Sequence, residues 1–118
     1  MKKSDFYFDK LQKKAKIQPI TGGEIDAYRV WKNYKKYGDF VCNDIYKSSA
    51  EDFIKALREA GIDSFIYTDS SSGLMEGIHI LYKLGCKIIG TEVVNLGELQ
   101  SDEIIKKRGI RISIKKNN

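Results

Sequence analysis

The 118 residues are enough for one domain with its own core and too few for a second folded unit. A hydrophobic fraction of 42%, twelve Phe and Tyr rings and Trp31 exclude a disordered chain; no apolar run reaches the roughly 18 residues of a membrane span. The net charge is +5, and the Lys-rich start, with no apolar signal segment behind it, points to a protein that stays in the cytosol that made it.

Residues 1–21 carry weak periodicity (Phe6, Phe8, Leu11) among lysines, then Pro19, Thr21 and the pair Gly22-Gly23. They read as a basic, partly ordered arm, with residues 22–118 as a single α+β domain. From Glu24 to Tyr37, Ile25, Ala27, Tyr28, Val30, Trp31 and Tyr34 recur at helical spacing, and Gly38 follows as a stop. The β-prone run Asp39 to Lys47 predicts a strand. Ser48 or Ser49 then offers a capping-box start to a helix with the stripe Ala50, Phe53, Ile54, Leu57 and Ala60, closed by Gly61.

Ile62 to Thr68 predicts a second strand, and Leu74 to Leu84 a third helix ended by Gly85. Lys87 to Asn95 predicts a third strand, Leu96 to Arg108 a long polar hairpin loop, and Gly109 to Lys115 a last strand with Ile110, Ile112 and Ile114 on one face. The order α-β-α-β-α-β-β predicts an α+β fold: one small mixed sheet of about four strands, helices mostly on one face. Right-handed crossovers make the first three strands parallel and pair the last antiparallel to the third.

Cys42 and Cys86 lack paired spacing and read as small buried hydrophobes; one His and two distant Cys are too few for a structural zinc site. His79 follows Glu76 on the third helix, but Ser72 lies nearly two turns away, so no nucleophile is held against it. The expectation is a protein without catalytic residues, metal or cofactor.

Three features could bind. The turn Asp69-Ser70-Ser71-Ser72-Gly73 enters a helix from a strand, so Ser70, Ser71, Ser72 and Gly73 could cradle a phosphate or carboxylate, or merely cap the helix. Asp69 opposes an anion there. The helix bearing Tyr28 and Trp31 offers hot-spot residue types that are as often core. Lys106, Lys107, Arg108 and Arg111 could form a basic stripe for phosphates or an acidic partner, or could guard an edge strand. Charge is segregated: +4 over residues 1–21, +6 over 106–118, and so −5 between. Basic ends around an acidic middle argue against a domain built to lie along nucleic acid.

The segment Trp31 to Ile114 resembles small uncharacterised proteins of phages, plasmids and other mobile elements of Gram-positive bacteria. The resemblance lies in Trp31-Lys32, Tyr46-Lys47-Ser48, Phe53-Ile54, Ala60-Gly61-Ile62, Thr68-Asp69-Ser70-Ser71, Gly73-Leu74-Met75-Glu76, Ile78-His79, Gly85-Cys86 and Gly109-Ile110-Arg111. It implies a non-catalytic accessory protein, monomer or homodimer, that blocks a host defence protein such as a CRISPR effector nuclease by direct contact. A nucleic-acid-binding regulator and a nucleotide- or phosphate-sequestering domain are the alternatives.

Overall fold

The computed structural model describes residues 2–98 and 104–115. Helices α1 (Lys3–Ala15), α2 (Gly22–Tyr37), α3 (Ala50–Glu59) and α4 (Ser71–Lys83) accompany strands β1 (Val41–Cys42), β2 (Ser64–Tyr67), β3 (Lys87–Glu98) and β4 (Ile104–Ser113). This is the expected small α+β architecture.

Helix α1 replaces most of the arm read from the sequence. Its stripe is narrow, yet Phe8 and Leu11 are buried, and Phe8 stacks on Trp31 with ring centroids 5.5 Å apart. A short stripe suffices because α1 lies beside α2 and reaches toward α3, where Tyr7 and Glu59 meet.

Helix α2 begins at Gly22, two residues before its expected start. Thr21 and Glu24 form a reciprocal capping box there, and Gly23 is no break. A Cβ on Gly23 would lie 2.4 Å from the Phe53 backbone nitrogen, so this glycine lets α2 and α3 touch backbone to backbone. The box expected at Ser48 or Ser49 does not form: the Ser49 hydroxyl donates instead to Asp26 of α2, 3.1 Å away.

The sheet order is β1-β2-β4-β3. β1 runs parallel to β2, and β4 runs antiparallel to both β2 and β3, so the first three strands share a direction as expected. What chain order did not show is that β4 inserts between β2 and β3. β1 is also only two residues long, and β3 and β4 extend into the stretch expected to be loop. Residues 99–103, the rest of that loop, lie outside the described residues.

Cys42, Phe65, Tyr67, Ile112 and Ile114 project into one core with Phe8, Trp31, Phe53, Leu57 and Leu81 of the four helices. The other sheet face carries a small buried cluster of Val41, Ile66 and Val94. On that same face Arg111 stands opposite Gly90 in register, and its guanidinium reaches Glu92.

Candidate binding groove

The fold is uneven in how it covers the sheet. α4 is anchored by Ile80 and Leu81, but its apolar residues spread over more than one face: Leu74 and Ile78 are half-buried, while Met75 and Tyr82 are about three-quarters exposed (73% and 74%). β3 is the sheet's edge, with Ile88 (55%), Ile89 (60%) and Val93 (56%) open to solvent.

Between the Ile78–Tyr82 flank of α4 and the strands runs a groove of about 370 Å³, floored by Ile88 and Ile112 with Cys86 and Lys87 at its end. Register pairs Ile88 with Ile112, Thr91 with Ile110 and Val93 with Arg108, so across a register shift after Ile88 these three β3 residues share the sheet face that floors the groove. The result is an apolar groove with Lys87 at its end and, farther along the same sheet face, Val93 opposite the exposed Arg108. Its width lies between a helix and an edge strand, a shape that receives an amphipathic helix or an added strand.

The residues singled out from sequence fall outside the groove's lining. Trp31 is buried and its indole N–H donates to Asp5 at 2.9 Å, so it is core and not an exposed hot spot. Tyr28 is half-buried against Phe8 and Trp31, with Lys32 over its ring. Arg111 is on the opposite sheet face, engaged with Glu92, Ser64 and Asp39. Its bond to Glu92 holds that carboxyl below the usual range. Arg108 is exposed opposite Val93 in register, beyond the residues that line the groove; Lys106 and Lys107 sit in β4 opposite Asn95 and Val94.

At the Ser70–Gly73 corner, Ser70 is the N-cap of α4 and its hydroxyl accepts from the Gly73 N–H at 3.4 Å. Ser71 and Ser72 open the helix, and the Ser72 hydroxyl lies 3.2 Å from that of Ser70. Asp69 folds over the same helix end: one oxygen accepts from the Ser70 N–H at 2.7 Å, the other from the Tyr67 hydroxyl at 2.7 Å. A carboxylate thus stands where an anion would approach, and the geometry is that of a cap. Burial, with Asp69 adding to it, pushes the Tyr67 phenol well above its ordinary range. Tyr67 passes beneath α4 only because Gly77 has no Cβ, which would sit 1.9 Å from the phenolic oxygen.

A second cleft, about 530 Å³, lies on the other flank of α4, lined by Lys47, Glu51, Glu76, His79 and Lys83 among others. His79 is exposed there, and Ser72 lies seven residues earlier, about 10 Å along the helix axis. Among the described residues no group of three or more His, Cys, Asp or Glu converges as metal ligands would, and no helix is long and apolar enough to cross a membrane.

A family model described as a domain of unknown function, DUF7698, matches residues 26–114. The chain belongs to this family. The DUF7698 segment takes in the whole sheet, α3, α4 and the groove, and leaves α1 and the first turn of α2 outside it. No curated protein and no solved structure matches the chain.

Proposed function

We propose that this DUF7698 protein is a non-catalytic binding protein that acts by seating a segment of another protein in the groove between α4 and β3. The observation that supports the reading is the set of exposed apolar side chains formed by Tyr82 of α4 with Ile88 and Val93 of the open edge strand β3. Such a surface holds unfavourable contact with water unless a partner covers it, and an edge strand adds unpaired backbone groups that a partner strand can satisfy. Lys87 at the end of the groove and Arg108 opposite Val93 favour a segment with acidic flanks.

The resemblance of Trp31 to Ile114 to proteins of mobile elements suggests the partner class: a host defence protein, with a CRISPR effector nuclease as the first target to try. The test is a titration of purified effector with this protein. The reading expects inhibition complete near one-to-one stoichiometry, lost in Val93→Asp and in Tyr82→Ala while circular dichroism stays unchanged. Full nuclease activity at tenfold excess would remove that target. Inhibition undiminished in both variants would remove the groove.

A further inference from the structure

The charge argument against nucleic acid assumed that the N-terminal lysines lie on an arm apart from the fold. The structure places them on it. α1 presents Ser4, Phe8 and Leu11 to the interior, so Phe6, Lys10 and Lys13, at i, i+4 and i+7, form its solvent ridge. α2 buries Ala27, Val30 and Trp31, so Arg29, Lys32 and Lys36 form the corresponding ridge on its neighbour. Residues 2–37 hold ten cationic side chains against four acids, a net +6 that exceeds the whole chain's +5.

The acids of this surface are mostly spoken for. Asp5 is engaged by Trp31 and by Lys35 at 3.3 Å, Glu24 by the cap and by Lys14 at 3.6 Å, and Asp26 by Ser49 and by Arg29 at 3.6 Å. That leaves Asp9 against Lys10, Lys13, Lys16, Lys32 and Lys36, none of which has an ion pair among the described residues.

We infer that the outer surface of the α1–α2 pair binds the phosphate backbone of nucleic acid without reading its sequence. Lysines carried on two packed helices form a fixed array of point charges that matches a polyanion and releases its counterions. With one arginine on this surface, there is little bidentate capacity for base edges. A lipid surface fits less well, because both helices turn their apolar stripes inward and the exposed Phe6, Ile25 and, just beyond α1, Ile17 are scattered among the lysines. This surface is separate from the groove, so neither reading depends on the other.

The test measures anisotropy of a labelled 30-base-pair duplex, and of one of its strands, against salt concentration. Binding of either form is expected, with log K falling linearly in log salt. The variant Lys10→Gln/Lys13→Gln/Lys32→Gln should bind at least tenfold more weakly and lose about 2.7 from the slope on duplex, about 0.9 for each phosphate contact removed. Val93→Asp, in the groove, should leave both quantities unchanged. Should the triple variant unfold, the three single substitutions, each expected to lower the slope by about 0.9, carry the same test. No binding to either form at 20 mM salt would overturn the inference. So would an unaltered slope, or binding to phosphatidylserine vesicles in place of nucleic acid.

Discussion

Gly109 lies beneath the cluster of Val41, Ile66 and Val94, and a Cβ there would stand 2.3 Å from Ile66 Cγ2. Gly109→Ala is therefore expected to destabilise the fold by about 1–3 kcal/mol in urea unfolding, the usual range for overpacking. Gly90→Ala, with nothing within 4 Å of the new atom, should stay within about 0.5 kcal/mol. Asp5 illustrates a different residue-scale effect. The hydrogen bond from Trp31, helped by Lys35, holds its carboxyl below the usual range. A lowered folded value contributes stability above the unfolded one, about 3.9, and loses it as pH falls through the folded value. The stability gap between wild type and Asp5→Asn should be flat above about pH 5 and close below about pH 4 in unfolding series across that window. A gap that widened toward acid would refute the pairing. Neither Gly109 nor Asp5 could be ranked from sequence, since each owes its role to an atom 26 or more residues away in the chain.

At the scale of elements, α1 is where periodicity misled most. Its buried residues are few because a helix in a groove between two others needs only a narrow stripe, and lysines cover the rest. Phe8→Ala removes a fully buried ring stacked on Trp31 and should cost about 3–5 kcal/mol, read as a lowered urea midpoint. A cost below about 1 kcal/mol would mean that α1 is detached in solution. By contrast α3 was legible almost to the residue, because Ala50, Phe53, Ile54 and Leu57 recur at one spacing and Gly61 closes it at φ +80. Its cap was not, because the Ser49 hydroxyl answers to a residue of another helix. The excess of apolar residues on α4, wider than one buried face requires, was the sequence's one sign of the groove.

For the whole molecule, the consequence of the sheet order is an edge strand that is long and partly apolar where natural edges are usually short or charged. Placing β4 in the middle buries Ile112 and, just beyond the strand, Ile114, and moves β3 to the rim, leaving Ile88 and Val93 more than half exposed. Because those side chains are already in water, Val93→Asp and Tyr82→Ala should change stability by no more than about 0.5 kcal/mol in urea while abolishing partner binding. A large loss of stability in both would make them structural instead.

The helix and strand order, the direction of the first three strands and the inward face of the last were written in local patterns: apolar spacing, β-branched runs and glycine stops act over a few residues and are read there. Which strand became the edge, that Trp31 is core, that Asp69 closes its own helix end, and that the N-terminal lysines ride on a helix packed against α2 were decided by packing. Those outcomes depend on which distant surfaces bury each other, and no window of neighbouring residues contains that information.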